Sequence, residues 1–197
     1  MTGQVQLISV LRVKPIYFFA LILGISGCAY RFGLADRGLP GGYTQVAVPV
    51  FKNLSQDVGL ETYFTDSLVR RFARSQVARV TDKEASPLLL YGTIRSVTTE
   101  QRAVVTNKDL PIPDDVVLTT EYRLQVVAHL ELKRKSDERV LWQGVFSNER
   151  VYAPPRIGTD VVNSANATYN HSARRENLAR LAEEMMAEAH DRMTENF

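Results

Sequence analysis

Residues 116–133 carry the clearest pattern in the chain, a strict alternation of two kinds of side chain. One set is almost wholly apolar and comprises Val116, Leu118, Thr120, Tyr122, Leu124, Val126, Ala128, Leu130 and Leu132. The residues between them are largely polar. A period of two is typical of a β-strand with one face buried and the other in water. The run is longer than an ordinary strand, so we expect a bend or a bulge within it.

Shorter patterns predict three more strands and two helices. The strands are expected over residues 44–51, 88–99 and 140–152. A helix is predicted over 58–76, where an apolar residue recurs every four positions at Leu60, Phe64, Leu68 and Phe72. A second helix is predicted over 173–194, with Ser172 as its N-terminal cap.

Polar, Gly-rich or Pro-rich segments separate these elements. We predict a polar turn over 52–57, a loop over 99–115, a charged hairpin turn over 134–138 and a crossing loop over 153–170. Pro49 cannot donate to a strand ladder, which places it at a sheet edge or at the end of pairing. The order β-α-β-β-β-α predicts an α+β fold, with a four-stranded mixed or antiparallel sheet and two helices packed on one face.

A short apolar run followed by a single cysteine is typical of a bacterial lipoprotein signal peptide. Arg12 and Lys14 precede the apolar residues 16–25, and Ser26 and Gly27 lead directly into Cys28, the only cysteine. At about 1.5 Å per residue, this run spans only about half of a bilayer core about 30 Å thick. The alternative is that Cys28 is a small buried hydrophobic residue.

These features predict three parts: a signal peptide over 1–27, a lipidated N-terminus and tether over 28–42, and a single domain over 43–197. In enteric bacteria, Asp directly after the lipidated cysteine is the usual signal for retention in the inner membrane. Ala29 follows Cys28 here, so the resemblance to these signals implies sorting to the outer membrane. Two or more acyl chains anchor a protein stably without a membrane-spanning helix.

Composition and motifs favour a protein without catalytic chemistry. The whole chain has 24 Lys and Arg against 22 Asp and Glu, which argues against nucleic-acid binding. His129, His171 and His190 lack metal-ligand spacing, and no cofactor is indicated. We find no nucleophile elbow, Walker loop or dinucleotide-binding turn.

Basic residues are the remaining candidates for ligand contact. Lys133, Arg134 and Lys135 are consecutive at the predicted hairpin turn, where they could bind lipid phosphates through charge-assisted hydrogen bonds. The alternative is a solvated hairpin tip whose charges protect a sheet edge.

Several short segments occur in a characteristic order and spacing over nearly all of the chain after Gly27. They are residues 28–32, Leu39-Pro40, residues 46–53, Leu60-Glu61, residues 64–68, residues 88–92, residues 122–133, Val140-Leu141-Trp142 and the helix after Arg175-Glu176. In these segments the chain resembles the lipopolysaccharide-assembly lipoprotein family LptE, also called RlpB.

The resemblance implies an outer-membrane lipoprotein on the periplasmic side that plugs a large β-barrel partner, LptD, and assists its assembly. It also implies contact with lipopolysaccharide during insertion into the outer leaflet. A second hypothesis is a periplasmic lipoprotein that activates a peptidoglycan synthase or builds a secretion channel. A third hypothesis, a hydrolase, has only the absence of known motifs against it.

Overall fold

The computed structural model describes residues 37–105, 118–153 and 167–195. The chain divides into two compact units, Met1–Ala35 and Asp36–Phe197, and all described residues belong to the second. The predicted signal peptide and Cys28 therefore lie outside the described residues, as do most of the two long predicted loops.

Six strands and two helices make up the described part of the fold. In chain order they are β1 (Gln45–Val46), β2 (Lys52–Asn53), α1 (Leu60–Ser75), β3 (Arg79–Val80), β4 (Leu88–Val105), β5 (Leu118–Arg134), β6 (Val140–Tyr152) and α2 (Ala167–Thr194).

The main sheet has four strands in the order β2-β4-β5-β6. β2 runs parallel to β4, whereas β4 with β5 and β5 with β6 are antiparallel. β1 and β3 form a separate parallel pair. Both helices pack on one face of the main sheet, so the predicted α+β fold with a mixed four-stranded sheet is confirmed.

β5 supplies the centre of the core, as its alternation predicts. Its inward side chains, Leu124, Val126, Ala128, Leu130 and Leu132, are all fully buried. The expected irregularities occur in its pairing, with register shifts against β4 and one against β6 between Leu132 and Lys133. These bulges allow strands of 17 and 18 residues to bend around the helices.

The two helices cover the inward face of β5 with apolar stripes. On α1 the four predicted residues, Leu60, Phe64, Leu68 and Phe72, are all buried. On α2 the predicted Leu178, Leu181, Ala182, Met185 and Ala189 are buried, and Met186 and Met193 join them. The stripes therefore have the period of a helix that packs on one side.

The predicted strand over 44–51 is confirmed only in its first half, where β1 and the Ala47 bridge lie, and pairing ends before Pro49 as predicted. Before Pro49, the backbone of Ala47 is hydrogen-bonded to both Leu88 and Leu90 of β4 at 2.9 Å. After it the chain pairs with β4 again as β2, so the start of the predicted turn over 52–57 is wrong. Beyond Pro49, Val50 is 71% exposed and Phe51 is buried.

Three other boundaries differ from the sequence prediction. The two-residue strand β3 was not predicted, and β4 continues six residues beyond Thr99. α2 begins at Ala167, so Ser172 lies within the helix and is not its cap. Short and terminal segments carry too few residues for a period to identify them.

Gly92 allows an aromatic ring to pack directly on β4. A Cβ at this position would lie 2.2 Å from the Phe51 ring, and the ring belongs to the buried core. Real carbon atoms do not approach so closely, so the absence of a side chain at Gly92 permits this contact.

We expect Gly92→Ala to destabilise the domain by about 1–3 kcal/mol, because the ring or the strand must move. Urea unfolding of the purified protein measures this change. Gly38→Ala is the matched control, since a Cβ there would meet nothing within 4 Å. Equal stability of the two variants would show that the Phe51 contact is not tight.

Candidate functional site

The hairpin tip between β5 and β6 holds the three predicted cations, and each has a different partner. Lys133 Nζ lies 2.7 Å from Glu131 Oε2 and 5.8 Å from the centre of the Tyr91 ring. The hydrogen bond with Glu131 raises the pKa of Lys133, and the same bond lowers the pKa of Glu131. Both groups are therefore charged at neutral pH.

Arg134 and Lys135 are held by the turn and by a neighbouring loop. Arg134 donates to Asp137 Oδ2 at 3.2 Å. Lys135 Nζ donates to the backbone oxygens of Lys83 and Glu84, both at 2.8 Å. Lys135 is thus a structural donor to the loop before β4 as well as an exposed cation.

The three cations lie at the same tip, but their side chains point in different directions. Successive residues of a strand point to opposite faces, so Lys133 lies on the same face as Glu131 while Arg134 lies on the other. Lys135 follows in the turn. The tip therefore presents positive charge around its circumference rather than a single cationic pocket.

The sheet face away from the helices, called the outer face here, is a polar surface tied together by side-chain contacts. Arg123 lies 3.7 Å from Glu149, and Gln125 donates to Ser147 at 3.4 Å. Two side chains of β6, Val145 and Val151, are 55% and 46% exposed on this face. Such a surface can lie against water or against a polar protein wall.

A groove of about 590 Å³ adjoins the tip. It runs between the segment around Pro49 and the loop after β3, and Lys83 contributes to its wall. Lys135 donates to the backbone oxygen of Lys83, so a hydrogen bond connects the tip directly to the wall of the groove.

The helix interface contains a hydrogen-bonded series that resembles the order of a hydrolase triad. Ser75 Oγ lies 2.8 Å from His190 Nε2, and His190 Nδ1 lies 3.0 Å from Asp191 Oδ1. The imidazole is fully buried and packs against the Phe72 ring at 4.9 Å. A catalytic base must reach a substrate proton, so this buried geometry instead fastens α1 to α2.

Arg71 completes this interface with two hydrogen bonds of 2.9 Å to Asp191. Burial lowers the pKa of His190, which outweighs the opposite effect of its hydrogen bond to Asp191. Burial opposes ionisation of Asp191, but hydrogen bonds from Arg71 and His190 keep its pKa below the ordinary value. At neutral pH, Nδ1 of a neutral His190 therefore donates to an ionised carboxylate.

The contacts among Arg71, Ser75, His190 and Asp191 form one clamp between the helices, and a second clamp joins their other ends. Arg174 of α2 binds Asp57, just before α1, through both of its terminal nitrogens. The same guanidinium donates to Thr99 of β4 at 3.1 Å. The sequence prediction missed both clamps, because their partners are 117 and 120 residues apart and no local spacing indicates them.

Comparison with known proteins places this α+β domain, with its polar sheet face and cationic tip, in one family. The model of the LptE family, described as lipopolysaccharide-assembly, matches residues 43–193. The chain therefore belongs to the LptE family, as its segment pattern predicts. It is an envelope lipoprotein of lipopolysaccharide assembly, and the family is a non-enzymatic one.

Several solved structures are similar to this chain at low identity. Rare lipoprotein B from Shewanella oneidensis is 15% identical, with a TM-score of 0.37 over 76% of this chain and 89% of that one. A PelC dodecamer from Paraburkholderia phytofirmans is 13% identical, with a TM-score of 0.44 over 79% and 90%. A minor lipoprotein from Acinetobacter baumannii is 11% identical, with a TM-score of 0.45 over 77% and 91%. No curated protein sequence matches the chain.

The described residues lack two features, a membrane-spanning helix and a cluster of metal ligands. None of the described helices combines the length and the apolar character that crossing a membrane requires. Across residues 37–105, 118–153 and 167–195, no group of three or more His, Cys, Asp or Glu side chains could hold a metal ion.

We expect the domain to lose stability as the pH falls below about 6.5, the ordinary pKa of histidine. The native pKa of His190 is lowered, so the unfolded chain binds a proton that the folded chain excludes, and stability falls with pH. Urea unfolding at several values between about pH 7 and 5 measures this slope.

His190→Gln should flatten the slope, because the glutamine does not titrate. His129→Gln, on the outer face, should keep it and is the matched control. An unchanged slope in the His190 variant would assign the pH dependence to other groups.

Proposed function

We propose that this chain is anchored through an acylated Cys28 on the periplasmic side of the outer membrane. There its domain fills the lumen of an LptD-type β-barrel, assists the assembly of that barrel, and aids the insertion of lipopolysaccharide into the outer leaflet. It acts by binding and not by catalysis. The family match over residues 43–193 is the observation that carries this proposal.

The outer face supports the plug role. Barrel lumens are polar and filled with water, and the outer face is polar and carries the ion pairs Arg123–Glu149 and Lys133–Glu131. Charges that are paired in this way can lie against a polar wall without leaving a buried charge unpaired. Val145 and Val151 add two apolar contact points on the same face.

The length of the domain also fits a barrel. At about 3.3 Å per residue, the 17 residues of β5 span at most about 56 Å. The apolar band of an outer-membrane barrel is about 25 Å tall. A domain of this length reaches through the membrane-embedded part of a lumen and extends beyond it.

The hairpin tip is the proposed contact for lipopolysaccharide. Lys133, Arg134 and Lys135 surround it with positive charge, and phosphate groups form strong charge-assisted hydrogen bonds with such cations. The adjoining groove near Lys83 offers space beside the charges. Each cation already has a neutral or acidic partner, so binding requires exchange of these contacts.

Copurification tests the plug proposal. We expect the full chain, tagged at its C-terminus and extracted from outer membranes in detergent, to recover a large β-barrel in equal amounts. Val145→Lys should reduce this recovery, because it places an unpaired charge on the outer face. Ala73→Lys, on the exposed side of α1, is the matched control.

The other outcomes separate the alternatives. Recovery of a peptidoglycan synthase or a secretion channel in place of a barrel would support the second hypothesis. Recovery of no membrane partner would contradict the proposal. Palmitate labelling of the same cells should mark the wild-type chain and not Cys28→Ala, and label in that variant would contradict acylation at Cys28.

We predict that replacing Lys133, Arg134 and Lys135 together by Ser weakens lipopolysaccharide binding most at low salt. Screening acts over about 30 Å at 0.01 M salt and about 3 Å at 1 M, so wild type and variant should converge at high salt. Titration with purified lipopolysaccharide at several salt concentrations measures this.

A second triple variant removes the same charge elsewhere. Arg74, Arg180 and Arg192 have side chains 70%, 57% and 59% exposed, and their replacement by Ser should leave binding near wild type. Because Lys135 also holds the loop before β4, thermal unfolding of both variants is compared. Equal binding by the two variants at low salt would reject the tip as the contact.

A further inference from the structure

A cleft of about 510 Å³ lies between the start of α1 and the first half of α2. Its volume falls within the usual range of small-molecule sites, about 300–1,000 Å³. Its polar lining includes Gln56, Tyr63, His171, Arg174 and Arg175. The cleft therefore combines two guanidinium groups, an imidazole, a phenol and the Asp57 carboxylate around one space.

The two arginines of the cleft differ in whether an acidic partner neutralises their charge. Arg174 is bound by the Asp57 carboxylate, which neutralises it. Arg175 Nη2 instead donates to the Tyr63 hydroxyl at 3.2 Å. A hydroxyl is a neutral acceptor, so Arg175 keeps its full positive charge at the cleft.

The contacts of Arg174 hold the walls of the cleft in place. Through Asp57 and Thr99 it fixes α2 both to the segment before α1 and to β4. The same clamp holds the backbone of α2 at Arg175, the next residue. A site held by such contacts is preorganised, which lowers the entropy that a ligand must overcome.

Apolar side chains complete the lining. Leu60 and Leu178 are buried at the base of the cleft, and Val58 at its edge is 91% exposed. Leu54, four residues before Val58, is 57% exposed. A ligand held by Arg175 would therefore meet apolar surface next to its charged group.

We propose that this cleft binds an anionic amphiphile, with a phosphate on Arg175 and an apolar chain against Val58. The charge and the neighbouring apolar edge are complementary to such a molecule. Phosphate receives charge-assisted hydrogen bonds from arginine that are about twice as strong as neutral ones.

Lipopolysaccharide is itself a phosphate-bearing amphiphile, so this inference deepens the proposed function and rests on it, but it uses other residues than the tip. Thr99, which contacts Arg174, is eleven residues along β4 from Leu88, the partner of Arg134 at the hairpin tip. At about 3.3 Å per residue, this places the cleft at most about 36 Å along the strand from the tip. Binding at the cleft can therefore succeed or fail independently of barrel recovery and of the tip.

The test is a calorimetric titration of the full chain in the neutral detergent dodecyl maltoside. The probes are hexyl phosphate, inorganic phosphate and hexanol. We expect hexyl phosphate to bind more tightly than either of the others, because it alone offers both the charge and the chain.

Two variants and one control locate the site. Arg175→Gln should weaken hexyl phosphate binding by about tenfold or more, in line with the loss of a charge-assisted hydrogen bond. Arg180→Gln removes an equal charge from the same helix, where Arg180 pairs with Glu176, and should bind like wild type. Val58→Ser should narrow the difference between hexyl phosphate and inorganic phosphate.

Three results would overturn the proposal: no binding of hexyl phosphate by the wild-type chain, equal weakening by the Arg175 and Arg180 variants, or equal affinity for inorganic phosphate and hexyl phosphate. The last result would identify free phosphate as the ligand.

Discussion

The burial of one side of β5 is the constraint on which the rest of this fold depends. Five alternate side chains from Leu124 to Leu132 are fully buried, and both helices lie on their side of the sheet. Once this face is assigned to the core, the intervening polar residues must form the outer face. The surface proposed to meet the barrel wall is thus a direct result of how the core is built.

The polar clamps at the two ends of the helix pair have a different role from the core. Exposed ion pairs contribute little to stability, typically less than about 1 kcal/mol. The pairs Arg71–Asp191 and Arg174–Asp57 are partly buried and each has two hydrogen bonds, so their geometry is specific. They fix the angle and register of two apolar stripes that could otherwise slide along each other. The same clamps set the walls of the cleft that holds Arg175.

The elements with many repeats of a period could be predicted from the sequence, and the short ones could not. β5 and α1 repeat their apolar period at least four times, and burial is confirmed for alternate residues from Leu124 to Leu132 on β5 and for all four predicted residues on α1. β1, β2 and β3 contain two residues each, and they exist because distant backbone offers them partners: β2 pairs with β4, and β1 and β3 pair with each other. The split at Pro49 depends on the position of β4, which no property of residues 44–51 specifies. At the tip, the sequence located the three cations, but Lys83 and Glu84 as partners of Lys135 are set by tertiary structure.

The burial of Leu39 limits how far the domain can travel from the bilayer. This residue precedes the first strand but packs within the hydrophobic core at 2% exposure. With Cys28 acylated as proposed, the eleven residue steps from Cys28 to Leu39 reach at most about 36–40 Å at full extension. The core of the domain is then held next to the membrane that carries the acyl chains.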